Sequence, residues 1–353
     1  MGANPPRRIP SLDGLRALSI LLVLLSHLLG THNFPVGPRA LGTVGDFGYT
    51  GVKVFFVISG YLITTLLLRE FAKTGTISLR GFFRRRVWRI FPAFYVFIGA
   101  VLIAAAIGVV SIRTDDLLSA VTYTMNYHYD RSWKIGHLWS LSIEEQFYLV
   151  WPLLLLAASP RRVVPVSVAM IGLALVARGV AWFGFHSDNL VEEAFPCVMD
   201  AIAVGCLMAG LAPRLDASAR YQRFLRSPGF WLVPLVVPLT QLPFHPALDY
   251  TVSTTASNLA IAVVIDRVVR IPDDPVGRLL NWRVLAWLGT LSYSLYLWQE
   301  PFLNHLGRSW FQRFPQNLVA ALACALASFY LVEQPVLRWR ARREAARAAA
   351  APA

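Results

Sequence analysis

Two ionisable side chains lie inside the first apolar stretch of the chain, where they require a chemical explanation. Arg16 and His27 stand in a run that is otherwise leucine, isoleucine, valine, alanine and serine. Charged groups inside a bilayer are costly and mark function by default. On a helix, eleven residues make about three turns, so both side chains share one face, roughly 16 Å apart along the axis. We expect one group near the inner side of a membrane and the other near the outer side.

A second group of polar residues lies at the start of another apolar run. On a helix, His137, Glu144 and Tyr148 form one stripe, and Glu145 points about 100° away. We expect Glu144 at about the depth of His27, where a carboxylate would orient the imidazole and raise its basicity, as a general base needs. The alternative is a buried ion pair that only locks two helices together.

A pair of arginines three residues apart suggests an anion site. Arg86 and Arg89 would present two guanidinium groups on one helix face, a geometry suited to phosphates. Basic clusters next to a membrane also commonly set topology and contact anionic lipids. The cluster alone does not decide between these functions.

Other polar groups within the apolar runs have simpler explanations. Ser59 and Tyr61 flank a glycine that suits a close helix crossing. Asp200 is an intramembrane acid that could pair with Arg178 or Arg16. The three cysteines all fall in apolar runs, which favours core packing over a disulfide. No histidine pair has metal-ligand spacing, so we predict no metal.

Composition places the chain among membrane proteins. It is 56% hydrophobic and 15% charged, with a mean hydropathy of +0.52, which predicts an all-α polytopic integral membrane protein. A net charge of +13 could indicate nucleic acid. The basic residues lie mostly in short loops between apolar runs, however, which is the positive-inside pattern, so we predict no nucleic-acid partner.

We predict ten membrane-spanning helices with both termini in the cytoplasm. The apolar runs are 11–30, 51–68, 91–110, 137–157, 163–183, 195–211, 230–245, 253–269, 284–306 and 317–334. With this arrangement only seven basic residues face outward: Arg39, Lys53, Arg113, Arg131, Lys134, Arg308 and Arg313. The apolar stretch Asp115–His128 is only about 14 residues long, too short to span, so we predict that 113–136 is an outer re-entrant or interfacial excursion. Residues 1–340 form one predicted domain, and 341–353 form a cytoplasmic tail rich in arginine and alanine.

Together these motifs resemble the bacterial membrane-bound acyltransferase-3 family, best known as O-acetylases of cell-surface carbohydrates. The matching stretches cover essentially the whole chain. They are LDGLRALSILLVLLSH at 12–27, GVKVFFVISGYLIT at 51–64, RRRVWRIFPAFY at 84–95, HLWSLSIEEQFYLVWP at 137–152, LGTLSYSLYLWQEPF at 288–302 and SFYLVEQP at 328–335.

The resemblance implies roles for particular residues. It makes His27 the catalytic base, with Arg16 in the same motif, assigns Arg86 and Arg89 to the phosphates of acyl-CoA, and puts a functional carboxylate at Glu144. We expect Arg16 to bind the donor together with Arg86 and Arg89, with the pantetheine arm passing beside it. Acyl-CoA, by default acetyl-CoA, is then a co-substrate, and no cofactor is bound permanently. The implied location is the bacterial inner membrane, among membrane lipids.

Two positions depart from the family pattern. Lys53 stands where an acidic residue is frequent, and Gln299 stands where a histidine is frequent in a YLWHxP-like stretch. Both could influence the choice of acceptor.

The expected reaction transfers an acyl group from cytosolic acyl-CoA to a hydroxyl of a cell-surface or lipid-linked carbohydrate on the outer side. Glu144 would orient His27, and Ser59, Tyr61 or Tyr148 would donate to the oxyanion. The remaining supporting candidates are Glu145 and Asp200. Two alternatives stay open: acylation of a small secreted metabolite such as a macrolide, and a transporter of a polar solute without enzymatic activity.

Overall fold

The computed structural model describes residues 10–36, 47–242 and 245–349, which are almost entirely helical and contain no β-strand. Arg39, one of the seven basic residues predicted to face outward, lies outside these residues. The α-helices of the described residues are α1 Pro10–Leu28, α2 Phe47–Thr74, α3 Leu79–Ala106, α4 Thr114–Val121, α5 Trp133–Gly136, α6 Leu138–Ala158, α7 Val163–Gly179, α8 Asp188–Glu193, α9 Phe195–Ala217, α10 Ala219–Arg226, α11 Leu232–Leu239, α12 Pro246–Leu248, α13 Thr254–Arg270, α14 Pro275–Leu280, α15 Arg283–Trp298, α16 Gln316–Ser328 and α17 Gln334–Ala349.

Several α-helices are joined end to end by π-helical turns. Val180–Gly184 extends α7, Asp249–Ser253 precedes α13, and Phe329–Glu333 joins α16 to α17. The predicted boundary at residue 340 falls inside α17, and the division into a domain and a tail stays a prediction.

The predicted polytopic helical class is confirmed. Eight helical stretches of the described residues are long and apolar enough to cross a membrane: Ser11–Leu28, Phe47–Thr74, Leu79–Ala106, Trp133–Ala158, Pro160–Gly184, Asp188–Ala217, Pro246–Arg270 and Gln316–Ala346. The other two predicted spans correspond to shorter helices, at Pro228–Leu239 and Arg283–Trp298. The count of ten and the cytoplasmic termini remain predictions.

The segment 113–136 contains no helix that could span. It folds into α4 of eight residues, a 3₁₀ turn of three residues at Met125–Tyr127, and α5 of four residues. A spanning helix needs about 20 residues. The structure therefore agrees with the predicted excursion, while its location on the outer side remains a prediction.

Glycines bring α2 and α9 into backbone contact. Gly60 of α2 lies against the carbonyl oxygen of Ile202, and Gly205 of α9 lies against the carbonyl oxygen of Val57. A Cβ atom at either glycine would overlap the opposing backbone. Small residues of this kind allow close helix crossings in membranes. This crossing fixes the position of Ser59, which precedes Gly60.

Helix α1 is held between α2 and α15 in the same way. Gly289 of α15 lies against the Asp13 carbonyl oxygen, and Gly51 of α2 lies against the Ser19 carbonyl oxygen. The depth of α1 relative to both neighbours is therefore fixed by backbone contact, and with it the positions of the two ionisable side chains of α1.

A buried ion pair connects α7, α9 and α13 away from the cavities described below. Arg178 lies 3.0 Å from Asp200, whose carboxylate also accepts a hydrogen bond from Thr255 at 2.7 Å. Asp200 is fully buried. Its partner is thus Arg178 rather than Arg16, and its contacts are those of a structural residue. The three cysteines are free, as expected.

Candidate active site

Three neighbouring cavities follow α1 from the level of Asp13 to the level of His27. The first, which we call the arginine cavity, has a volume of about 470 Å³ and is lined by Arg16, Arg86 and Arg89 among others. The second, the middle cavity, has a volume of about 110 Å³ and shares these three arginines with the first. The third, the histidine cavity, has a volume of about 220 Å³ and contains His27.

The middle and histidine cavities meet at two side chains. Val52 and Tyr296 line both of them. The Tyr296 hydroxyl is held 3.0 Å from the carbonyl oxygen of His137 and 2.6 Å from Ser140 Oγ. A ligand that extended from one cavity to the other would therefore pass between Val52 and a tethered tyrosine.

The arginine cluster divides into paired and unpaired members. Arg84 lies 4.0 Å from Glu344 and Arg85 lies 3.0 Å from Glu70. Arg86 and Arg89 form no ion pair with any described residue and line both the arginine and the middle cavities. Ion-paired arginines are already neutralised, whereas unpaired ones in a cavity can receive an anion. The predicted guanidinium pair is therefore present and accessible.

Arg16 joins this pair from α1. Its Nη1 atom lies 3.4 Å from Asp13 Oδ1, and its side chain is 20% exposed and lines both cavities. The sequence placed Arg16 near one side of the membrane. The structure brings it to the same space as Arg86 and Arg89.

Glu144 belongs to a cluster of hydroxyl groups in the middle cavity. Its carboxylate accepts hydrogen bonds from Ser59 Oγ and from the Tyr148 hydroxyl, which are 3.2 Å from each other. The guanidinium of Arg86 lies over the Tyr148 ring, 4.4 Å from its centroid. The cluster presents polar atoms along the path between the arginines and His27.

The predicted contact between Glu144 and His27 is wrong. His27 Nδ1 is 2.5 Å from Gln299 Oε1, and His27 Nε2 is 3.8 Å from Glu300 Oε1. On α6, the residue at the level of the histidine cavity is His137, and Glu144 lies seven residues, or about 10 Å, further along the axis. Glu144 is therefore at the level of Ser59.

Glu300 is shared between two histidines. Its Oε2 atom is 2.8 Å from His137 Nδ1 and accepts the His137 backbone N–H, also at 2.8 Å. Glu300 is 5% exposed and His137 is 2% exposed. Gln299 Oε1 can only accept a hydrogen bond, so in this arrangement the proton of neutral His27 is on Nδ1 and the lone pair is on Nε2. Nε2 is therefore the basic nitrogen, and Glu300 lies beside it.

The role of Glu300 was missed because it is distant in sequence. Residues 27 and 299 are separated by 272 positions, and no local spacing connects them. The signal that could have found it is the Gln-Glu pair in YLWQEP, which departs from the family's YLWHxP-like pattern.

Three other predicted residues are not brought together with His27. Tyr61 lines the arginine cavity only. Glu145 points away from Glu144 and lines none of the three cavities. Lys53 is buried, with Nζ 4.7 Å from the centroid of the Tyr49 ring. Tyr61 and Glu145 therefore have no geometric link to His27.

Among the described residues, one group has the composition of a metal site, although sequence spacing did not indicate it. The ligand atoms of Asp115, Asp116 and His128 lie within 4.8 Å of one another. Arg113 lies 2.6 Å from Asp115 of this group and 2.7 Å from the neighbouring Asp130. Its guanidinium group holds the pKa of Asp115 and the pKa of Asp130 below their usual range. The absence of a bound metal stays a prediction.

Comparison with known proteins assigns the family. The family described as "Acyltransferase domain" matches residues 9–333. The chain is 28% identical to the putative peptidoglycan O-acetyltransferase YrhL of Bacillus subtilis, over 94% of this chain and 55% of that protein. It is also 28% identical to the O-acetyltransferase OatA of Staphylococcus aureus, over 94% of this chain and 57% of that protein.

The chain thus spans about half the length of these curated relatives. No solved structure matches it. Because the family match covers nearly all of the chain and includes Arg16, His27, Arg86 and Arg89, the chain belongs to the acyltransferase-3 family.

Proposed function

We propose that this chain is a membrane O-acyltransferase. It moves an acyl group, by default acetyl, from acyl-CoA in the cytosol to a hydroxyl of a cell-surface or lipid-linked carbohydrate on the other side of a bacterial inner membrane. The observation that carries the proposal is the line of three cavities, with unpaired arginines at one end and His27 at the other.

The donor binds by its phosphates at the arginine end. Arg86 and Arg89 can each offer two parallel N–H groups to phosphate oxygens, and neither forms an ion pair with a carboxylate of the described residues. The pantetheine arm then extends through the middle cavity, where Ser59 and Tyr148 can hydrogen-bond its amide groups. Arg16 and His27 are roughly 16 Å apart along α1, a distance comparable to an extended pantetheine arm. The thioester accordingly reaches the histidine cavity.

This arrangement changes the expected roles of the hydroxyl groups. Ser59 and Tyr148 were candidates for oxyanion donors, but they lie in the middle cavity. We now assign them, together with Glu144, to the pantetheine arm. Donors to the oxyanion must come from the histidine cavity or from the acceptor itself.

The reaction takes place at His27. Nε2 accepts the proton of the acceptor hydroxyl while the hydroxyl oxygen forms a bond to the thioester carbon. The carbon–sulfur bond breaks, and the imidazolium returns the proton to the CoA thiolate. The negative charge of Glu300 stabilises the imidazolium in between, because its Oε1 is 3.8 Å from Nε2. General-base catalysis of this kind contributes about 10²–10⁴-fold to the rate.

The acceptor enters the histidine cavity from the opposite end. Tyr49 and Trp139 line this cavity and are stacked on each other, with centroids 5.9 Å apart. Glu192 also lines it and accepts a hydrogen bond from the Tyr49 hydroxyl through its backbone carbonyl. Aromatic faces beside polar groups suit a sugar, which has apolar C–H faces and hydroxyl edges. The named substrate of YrhL, peptidoglycan, is such a polymer.

The proposal is tested with purified protein in detergent. Acetyl-CoA and a mixture of glycan fragments are supplied, and CoA release and acetylated product are measured for the wild type, for His27→Ala and for His32→Ala. His32 is exposed and hydrogen-bonded to Asn33, so it is the matched control. We expect acetylated glycan from the wild type and from His32→Ala only. Absence of both CoA binding and CoA release in folded wild type would support the transporter instead. Acetylation of a macrolide but of no glycan would show that the acceptor is a small metabolite and not a carbohydrate polymer.

A further inference from the structure

A third unpaired arginine lies in the arginine cavity, beyond the two that the family motif supplies. Arg69 is exposed, lies near the end of α2 and lines the arginine cavity. It does not line the middle cavity, in contrast to Arg86 and Arg89. It is ten residues beyond Ser59, or about 15 Å along the axis of α2. In the sequence Arg69 was only one of many positive charges that set the topology.

The cavity is richer in positive charge than its own acids can balance. Arg69, Arg86 and Arg89 form no ion pair with a carboxylate of the described residues. The two acids that line the cavity have other contacts: Asp13 lies 3.4 Å from Arg16, and Glu333 accepts a hydrogen bond from Ser294. Like charges that face one cavity disfavour each other unless an anion separates them. The arrangement therefore predicts a ligand with several negative charges.

Two neighbouring arginines show that pairing is possible in this region. Glu70, which directly follows Arg69 in the sequence, is 3.0 Å from Arg85, and Glu344 is 4.0 Å from Arg84. Acids are therefore available on adjacent helices, yet they contact the arginines outside the cavity. Of the four arginines that line the cavity, only Arg16 has a carboxylate partner among the described residues, and the other three are left free for a ligand.

The order of the arginines along the cavities matches the order of charged groups in CoA. Arg69 lines only the arginine cavity, Arg86 and Arg89 line both the arginine and the middle cavities, and Ser59 and Tyr148 line only the middle cavity. Coenzyme A carries a 3′-phosphate on its ribose, then the diphosphate, then the pantetheine arm. With the diphosphate on Arg86 and Arg89, the 3′-phosphate lies on the Arg69 side.

We propose that Arg69 binds the 3′-phosphate of the CoA donor and makes the enzyme selective for CoA over 3′-dephospho-CoA. This inference rests on the proposed function, since it assumes a CoA thioester as donor. A phosphomonoester carries nearly two negative charges at neutral pH, and a guanidinium binds it through two parallel hydrogen bonds. Charge-assisted contacts of this strength correspond to a change of about 10- to 100-fold in donor KM.

The test compares two donors on three proteins. Initial rates are measured with acetyl-CoA and with acetyl-3′-dephospho-CoA for the wild type, for Arg69→Gln and for Arg84→Gln, the exposed control outside the cavity. For wild type and for Arg84→Gln, we expect the KM for acetyl-CoA to be about 10- to 100-fold lower than the KM for acetyl-3′-dephospho-CoA. Arg69→Gln should lose this preference through a higher KM for acetyl-CoA alone, with kcat unchanged. A fourth protein, Arg69→Lys, should keep part of the preference, because lysine retains the charge but not the two parallel hydrogen bonds of a guanidinium.

Two results would overturn the assignment of Arg69. One is equal use of both donors by the wild type, and the other is an Arg69→Gln variant whose KM rises equally for both donors. Failure of the proposed function would look different, because neither donor would then release CoA. Calorimetric titration with unacylated CoA and dephospho-CoA gives the same comparison without turnover. Loss of the preference for CoA in Arg69→Gln supports the assignment there too, and its retention contradicts it.

Discussion

The two ends of the cavity system differ in whether their charged groups are paired within the protein. In the arginine cavity, three guanidinium groups at Arg69, Arg86 and Arg89 have no carboxylate partner among the described residues. In the histidine cavity, the ionisable groups are linked to one another: His27 to Glu300, Glu300 to His137, and Glu193 to Arg131. The unpaired guanidinium groups of the arginine cavity can bind a negatively charged ligand. The charged groups of the histidine cavity already have partners within the protein.

This difference distinguishes binding from proton transfer. A site that captures a polyanion gains most when its cations are free, because no internal ion pair must be broken first. A site that moves a proton needs a base whose protonated form is stabilised in place. Variants at the arginine end should therefore act on donor KM, whereas variants at the histidine end should act on kcat.

The largest effect is expected for His27→Ala. Loss of the base should lower kcat by about 10²–10⁴-fold, while the affinity for CoA stays within about threefold of the wild type. Steady-state kinetics and calorimetry on the same preparation measure both quantities. His32→Ala controls for removal of a histidine from the same part of the chain. Retention of full activity by His27→Ala would contradict the assignment of the base.

Replacement of both motif arginines is expected to have the next largest effect. Arg86→Gln with Arg89→Gln should raise the KM for acetyl-CoA by at least about 100-fold, because two charge-assisted contacts are lost and each contributes roughly 1.5–3 kcal/mol. The kcat at saturating donor should change little. Arg84→Gln with Arg85→Gln removes the same charge from ion-paired positions. If this control raised the KM equally, general surface charge rather than a cavity site would explain donor binding.

Glu300→Gln tests the electrostatic role of the histidine end. Glutamine can still accept the His137 backbone N–H, so the fold is preserved, but the negative charge beside His27 Nε2 is lost. Without that charge the imidazolium formed during proton transfer is less stable, so the chemical step should be slower. We expect kcat to fall about tenfold. The groups that remain around His27 are His137, Glu192, Glu193, Tyr49 and Tyr296. An unchanged kcat would contradict this role.

Glu144→Gln should have the smallest effect. Its carboxylate contacts Ser59 and Tyr148 rather than His27, so the change replaces one hydrogen-bond acceptor by another on the path of the pantetheine arm. We expect a two- to tenfold rise in donor KM, in line with about 0.5–1.5 kcal/mol for such a contact. The kcat at saturating donor should be unchanged. A large loss of kcat would instead place Glu144 in proton transfer, as the sequence first indicated.

The sequence predicted the local features of this molecule well. Composition and the length of the apolar runs predicted the polytopic helical class, and the i, i+3 spacing predicted that Arg86 and Arg89 share one helix face, where both line the same cavity. Such predictions depend only on residues within a few turns of one another. Family motifs added the functional meaning of Arg16 and His27.

Relations between distant helices were harder to predict. The partner of His27 is set by the depth at which α6 and the residues after α15 meet α1, and glycine contacts such as Gly289 with Asp13 fix that depth. Helical spacing correctly predicted that His137, Glu144 and Tyr148 face the cavities. It did not predict which of them lies at the depth of His27. The depth of Glu144 along the helix was predicted wrongly by about two turns, each of about 5.4 Å. Glu144 was therefore predicted as the partner of His27 in place of Glu300.

The central claim is that the donor is bound at one end of the cavity system and reacts at the other. The most direct test measures CoA affinity and single-turnover acetyl transfer for wild type, His27→Ala and the Arg86→Gln/Arg89→Gln variant. The account predicts that His27→Ala binds CoA like the wild type but transfers the acetyl group about 10²–10⁴-fold more slowly. The double variant should bind CoA at least about 100-fold more weakly yet transfer normally once saturated. Loss of CoA binding in His27→Ala, with normal binding in the arginine variant, would contradict it.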